Sequence, residues 1–478
     1  MSQLPLIDGV TKYIKENNVS FNMPGHKGGR GFLCTKVGEE LIKNFISYDI
    51  TEVEGVDNLH SPEGIIKNAQ NLLRDLYGSS RSYFLVNGST SGNLTMIFSS
   101  FQEGDKVLVE RNCHKSIING IIMRKLKPIY IKNKVHTSYN APLSIDEEHF
   151  ASLLDDNLDA KGVILTYPNY YGICFDINKL TIAAKEKGLR VLIDSAHGAH
   201  FGFSKGLPES AIGERVDMSV MSAHKTLPSL TQTAFLHISS KLRQLSDVDY
   251  EKTEFYLRSF LSTSPSYMFM CSMDYARYYL ENYGNKAYEE LIDLSLKYMI
   301  LINELPGLHI ISHQDIKGWA YNLDRTRYVI NLKGGNTKEL FEYLRINKIT
   351  AEMRDNSNIV LILSPFNKEE DLLILYKTLK DYIKVATKEE TFKVELNHIP
   401  QMEILPYEAF DMKKFYIELK GSLGRICGKA VIPYPPGVPI IMPGEIIDME
   451  TLEVIEYYLK NNISLNGMED TKISVIIS

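Results

Sequence analysis

A chain of 478 residues, 44% hydrophobic and 23% charged, has room for two or three units around one large core and needs no covalent staples. Its formal charge of −6 disfavours nucleic acid as the main partner. The five cysteines (Cys34, Cys113, Cys174, Cys271, Cys427) are scattered without a CxxC pair, so neither a disulfide framework nor a zinc site is suggested and no metal is expected.

In chain order, Leu6, Val10, Tyr13 and Ile14 recur at helical spacing within residues 3–18, and Met23-Pro24-Gly25-His26-Lys27-Gly28-Gly29 breaks the pattern; residues 1–22 are expected to form an arm leading into a structured loop. The start has neither the basic residues nor the apolar stretch of a signal peptide. No run approaches the roughly 18 apolar residues that span a bilayer, so the expectation is a cytoplasmic protein with no membrane partner. A helix is predicted from Pro62 to Tyr77, with an apolar stripe of Ile65, Ile66, Ala69, Leu72, Leu73 and Leu76 stopped by Gly78.

Short apolar or β-branched runs then alternate with helix-length segments: 82–86, 106–109, 128–131, 162–165, 190–193 and 218–221. This rhythm predicts an α/β domain with a mainly parallel sheet over residues 23–285, whose ligands gather at the carboxyl ends of its strands. The pattern weakens into a smaller α+β region over 286–385, with strands at 328–332 and 359–363 and an amphipathic helix from Lys368 to Lys388. Residues 386–478 form a last unit carrying the proline-rich turn Ile432-Pro433-Tyr434-Pro435-Pro436-Gly437-Val438-Pro439.

Chemistry-bearing residues cluster at the predicted strand exits. Gly88-Ser89-Thr90-Ser91-Gly92-Asn93 follows the first strand and precedes an apolar helical run, Leu94 to Phe101, and a helix N-terminus with small residues and hydroxyls is an anion site. An N-cap with a flexible turn would use the same residues. Walker-type and dinucleotide glycine patterns are absent. Asp194 ends a strand, where a carboxylate needs a partner; a pyridinium N–H at about 4 Å would supply roughly 4 kcal/mol of attraction at an effective dielectric near 20. Lys225 follows the next strand in Ser222-Ala223-His224-Lys225-Thr226, and a lysine there can hold an aldehyde cofactor as a Schiff base, with Ser222 and His224 in reach of its phosphate. His114, in Asn112-Cys113-His114-Lys115-Ser116, offers a ring to stack on such a cofactor. Phosphate loop, strand-end acid and lysine, in that order, point to pyridoxal 5′-phosphate.

GSTSGN, NCHKS, DSAHGAHFG and SAHKTLPSLTQ, with NMPGHKGG near the start and PYPPGVPIIMPGE near the end, resemble the Orn/Lys/Arg decarboxylase family of fold type I (aspartate aminotransferase-like) pyridoxal-phosphate enzymes. The match covers nearly the whole chain. The absence of a receiver-like wing domain before NMPGHKGG is similar to the compact members described as arginine decarboxylases, and argues against the ring assemblies of long-chain relatives. The resemblance implies that Lys225 is the aldimine lysine, that Asp194 meets the ring nitrogen, and that Ser89 and Thr90, with Ser91 beside them, Ser222 and His224 hold the phosphate. It places His114 on one ring face, Ala196 on the other and His197 near the ring hydroxyl. Glu352 would meet the distal cation of the substrate, and Ser262 would be a hydroxyl from the second subunit of at least a homodimer. Ser195 stands where the family often has Glu. The implied reaction is decarboxylation of arginine to agmatine, with lysine or ornithine as alternatives; another fold type I lyase or aminotransferase, or a non-catalytic family member, is the remaining reading.

Overall fold

The six alternating apolar runs and a seventh strand, 234–238, pair into one sheet in the computed structural model, which describes residues 3–213, 215–239, 247–386, 398–433, 439–461 and 463–477. The arm contains helix α1 (Pro5–Lys15) and a short strand β1 (Val19–Phe21). Helix α2 (Ile65–Tyr77) leads to β2 (Arg81–Leu85), helix α3 (Gly88–Ser100), β3 (Lys106–Glu110), helix α4 (Lys115–Arg124), β4 (Lys127–Ile131), β5 (Gly162–Thr166), β6 (Arg190–Asp194), β7 (Met218–Met221) and β8 (Ala234–Ile238). Their order across the sheet is β2-β8-β7-β6-β5-β3-β4. Neighbours from β7 to β4 run parallel, and β8 is antiparallel to both β7 and β2. The carboxyl ends of β2, β3, β6 and β7 therefore open on one edge, the place where such sheets bind ligands.

Most of the β-branched centre of the sheet is fully buried, Val107, Val163, Val191 and Val220 among it, as expected for strands covered on both faces. A second sheet of four strands, β9 (Leu308–Ile310), β10 (Arg327–Leu332), β12 (Met353–Arg354) and β13 (Asn358–Ile362), has the order β9-β10-β13-β12. Just before β12, β11 (Ile349–Ala351) pairs in parallel with β1 as a separate two-stranded sheet, so the arm is stitched to the segment that leads into β12. Helix α5 (Glu369–Tyr382) follows. The last unit is built on a three-stranded sheet, β14 (Lys414–Glu418), β15 (Met468–Glu469) and β16 (Lys472–Ile476), with its own core around Val431, Ile441, Ile447 and Ile455. Among the described residues no helix is long and apolar enough to cross a membrane.

Several expectations need correction. The Gly88–Asn93 segment is not a loop before a helix: α3 begins at Gly88 itself, because Gly88 enters at φ +71° and the small residues behind it fit against the sheet. A Cβ on Gly92 would lie 2.6 Å from Leu85 and 2.7 Å from Val220, so only glycine lets α3 approach β2 and β7 this closely. Helix α2 starts at Ile65 rather than Pro62, since the Asp57 carboxylate accepts from the amides of Glu63, Gly64, Ile66 and Lys67 and caps it from outside the segment. Ile65 and Leu72 of its stripe are exposed. The helix predicted from Lys368 to Lys388 ends at Tyr382. Residues 434–438 of the proline-rich turn and residues 387–397 lie outside the described residues.

Candidate active site

The strand exits bring the predicted residues together. Lys225 lies in the single helical turn Ala223–Thr226 after β7, and its Nζ is 3.0 Å from Nε2 of His197, in the turn that follows β6. Burial pushes the Lys225 ammonium down to about 8; Asp194 and Glu352 oppose the fall and Arg327 adds to it. Asp194, at the tip of β6, is 2% exposed, and accepts from the Ala196 amide (3.1 Å) and from Asn93 Nδ2 (2.8 Å). Among the described residues no cation forms an ion pair with it. That is an incomplete environment for a buried carboxylate.

Across the same edge, the first turn of α3 carries no side-chain cap, so its amides face outward. Ser89 Oγ and Ser222 Oγ meet there at 2.5 Å. Thr90 is exposed at this turn, while the Ser91 hydroxyl is turned back onto the Gly88 carbonyl at 2.8 Å. His224 donates from Nδ1 to the Thr233 carbonyl (2.9 Å), and burial lowers its pKa to about 4, which leaves Nε2 as a neutral acceptor. His114 caps α4: its Nδ1 accepts from the Ser116 amide (3.1 Å) and meets Ser116 Oγ (2.7 Å), and the residue is exposed. Ala196 is buried next to Asp194. Ser195 is fully buried and its hydroxyl has no partner among the described residues.

Glu352, between β11 and β12, is half-buried; it accepts from the Met23 amide (2.9 Å) and from the Tyr170 hydroxyl. Tyr170 in turn sets its ring edge-on to His197, with centroids 4.7 Å apart, which joins Glu352 to the Lys225 wall. Ser262 is not brought to this cluster: it sits exposed in the turn after residue 260, where its hydroxyl bonds within the turn and its carbonyl meets His60 Nε2 at 2.7 Å.

Three participants were missed by sequence reading. Asn93 is fully buried and donates both to Asp194 and to Ser116 Oγ (2.9 Å), linking the strand-end acid to the His114 cap. It stood in the quoted GSTSGN motif, but only a helix starting at Gly88 turns it toward the sheet. Arg327, at the start of β10, reaches the Tyr170 carbonyl (2.7 Å) and His197 Nδ1 (3.1 Å). Lys27 is 3% exposed, donates to the carbonyls of Asn22 (2.6 Å) and Ile362 (2.9 Å), and is pushed by burial down to about 7.

Lys27 explains the glycines around it. The loop it anchors lies directly on the lysine turn, with the Gly25 amide 2.7 Å from the His224 carbonyl. A Cβ on Gly25 would stand 2.6 Å from the Thr226 carbonyl carbon, a backbone atom that cannot step aside. Gly25→Ala is therefore expected to lift residues 22–29 and cost about 1–3 kcal/mol. Limited proteolysis and a melting curve check this; a variant as protease-resistant and as heat-stable as the parent would refute the packing role.

The model of the Orn/Lys/Arg decarboxylase major domain matches residues 4–323, and that of the family's C-terminal domain matches residues 388–466. The chain belongs to the Orn/Lys/Arg decarboxylase family. A Bacillus subtilis (strain 168) protein named arginine decarboxylase is 31% identical over 482 residues, covering 99% of this chain and 97% of its own length. Among solved structures, a Francisella novicida lysine decarboxylase superposes with a TM-score of 0.80 at 20% identity, over 99% of this chain and 81% of that one. A structure titled SPT with PLP internal aldimine gives a TM-score of 0.58 at 14% identity, over 80% and 99%. The likeness of these two shows that this family member has the fold type I architecture, with β8 as the antiparallel insertion in an otherwise parallel run.

Proposed function

We propose that this chain decarboxylates a basic amino acid, L-arginine first, to the corresponding amine and carbon dioxide, with pyridoxal phosphate held at the β6 and β7 exits. The observation that carries the reading is the Lys225 amine, depressed toward neutrality and 3.0 Å from His197, beside a buried Asp194 that forms no ion pair among the described residues. The residues fit the cofactor: a ring nitrogen would complete the Asp194 environment, and the uncapped turn of α3 with Ser89 and Ser222 would receive the phosphate, Thr90 and His224 flanking it. The exposed His114 ring would cover one face of the cofactor and Ala196 the other.

Pyridoxal phosphate, when bound, supplies an aldehyde for amine exchange and a cationic ring that accepts the electron pair of the breaking bond. Asp194 would hold the positive charge at the ring nitrogen. Lys225, a free amine over part of its titration near neutral pH, would hold the cofactor until the substrate amine takes its place, and can carry a proton at Nζ. Lys225 Nζ or His197 Nε2 would deliver to Cα the proton that replaces the departing carbon dioxide. The Tyr170 ring helps keep water from that side.

Glu352 presents a carboxylate to the distal guanidinium or ammonium, and Ser262 of a second subunit would complete the site in a homodimer. Arginine leads because the relative of that name matches end to end at 31% identity, against 20% for the lysine decarboxylase structure. Carbon dioxide release from arginine, lysine and ornithine in parallel, with identification of the amine, tests the reading. Glu352→Gln is expected to raise KM for the preferred substrate about tenfold or more, the loss of one charge-assisted contact, with a smaller change in kcat. Unchanged KM would remove Glu352 from the pocket.

A further inference from the structure

We propose that Arg327 is a positioning residue: it fixes the tautomer of His197 and thereby favours the unprotonated Lys225 amine, as a hydrogen-bond acceptor, over the ammonium. The proposal rests on the reading of Lys225 as the amine that meets the cofactor. It starts from the fact that a guanidinium has donors only. Arg327 Nη1 points at the Tyr170 carbonyl (2.7 Å) and at His197 Nδ1 (3.1 Å), so Nδ1 must accept. The ring stays neutral, because burial, with the charge of the Arg327 guanidinium beside it, pushes its pKa well below the usual histidine range. A neutral ring that accepts at Nδ1 carries its hydrogen on Nε2. That hydrogen faces Lys225 Nζ at 3.0 Å, and only an amine with a free lone pair can receive it.

The alternative fails on donor count. An ammonium at Lys225 would donate to Nε2, and Nδ1 would then need the hydrogen and would meet the Arg327 N–H head-on. Arg327 is in no position to yield. It is 2% exposed, lies in β10 opposite Ile362, and its stem is 3.2 Å from the place a Cβ on Gly172 would occupy. The other groups facing Lys225 are Asp194 from β6 and Glu352 from the β11–β12 junction, which favour the charged amine, and His114 and His224, from the α4 cap and its own turn. Arg327 opposes the two carboxylates both by its charge and by relaying a donor through His197.

The test reads Lys225 directly in the full chain freed of pyridoxal phosphate. Trace acetic anhydride is applied from pH 6 to 10, and acetylation of the Lys225 peptide is followed by mass spectrometry against a free-amine standard. The wild-type midpoint is expected near 8. Arg327→Met should raise it by about one unit, an approximately tenfold slower modification at pH 7. Arg327→Lys, still a pure donor, should restore part of the shift. His197→Phe should raise the midpoint too, and Arg327→Met added to it should shift it less than in the wild type. A wild-type midpoint in the ordinary lysine range, or an Arg327→Met rate within twofold of wild type, overturns the proposal. So does an equal Arg327→Met shift in both backgrounds, which would leave a charge effect without a relay. If Arg327→Met does not fold, an unchanged midpoint in His197→Phe overturns it alone. Acetylation is read with or without carbon dioxide release, so failure of the decarboxylase reading leaves this result standing on its own.

Discussion

Lys225→Met is expected to lower carbon dioxide release by about 10⁴-fold, since in the proposed function it removes the amine exchanged with substrate and one proton carrier together. The variant has a second, opposite effect on the chain without cofactor. The Lys225 pKa is about 8 in the fold against 10.5 as its ordinary value, so the charged form is disfavoured by folding. Below pH 8 that burden is fully present; between 8 and 10.5 the unfolded chain binds more protons than the folded one, and stability rises with pH. Methionine keeps the length of the side chain without the charge. Lys225→Met should therefore melt higher than the parent at pH 7, with the gap closing toward pH 10. Residual activity within tenfold of the parent would take Lys225 out of the mechanism, and a lower melting temperature at pH 7 would contradict its buried charge.

The parts of this site that were legible in the sequence are those fixed by strand exits. Asp194, His197, Ser222 and Lys225 follow two runs, 190–193 and 218–221, whose apolar character is continuous enough to mark buried parallel strands, and the parallel order then forces them to one edge. The run Ala234–Ile238 was not read as a strand, although it is as apolar, because it follows β7 without a helix-length crossover; an antiparallel neighbour needs none. Glycine read as a loop signal misplaced the start of α3, where Gly88 supplies the entry φ and Gly92 the close approach. Arg327 was out of reach for a different reason. Its role depends on a contact between β10 and the turn after β6, and no local pattern encodes which buried arginine of a distant sheet will face a histidine. Asn93 is intermediate: it was inside a recognised motif, but its partners Asp194 and Ser116 are set by the angle at which α3 lies on the sheet.

Glu445→Ala is expected to cost about 3–5 kcal/mol, the loss typical of stranding one member of a buried ion pair. Glu445 closes the PGE end of the last quoted motif, is fully buried, and grips Arg111 with both oxygens, at 2.5 and 2.8 Å, while also accepting from the Met442 amide at 2.7 Å. Arg111 is 6% exposed and lies over the Tyr130 ring, 4.7 Å from its centre. Without Glu445 the one hydrogen bond left to its guanidinium among the described residues is to the Ile440 carbonyl at 3.3 Å, too little for a charge sealed from water. The pair joins the last unit to the exit of β3, three residues before His114, so its loss should loosen the His114 cap as well. Urea unfolding measures the first effect, and hydrogen exchange of residues 111–117 the second. The double replacement Arg111→Met with Glu445→Leu separates pairing from packing: it leaves no buried charge and should recover most of the stability. A single Glu445→Ala variant within 1 kcal/mol of the parent would mean that water reaches Arg111, and the motif would then need another explanation than this pair.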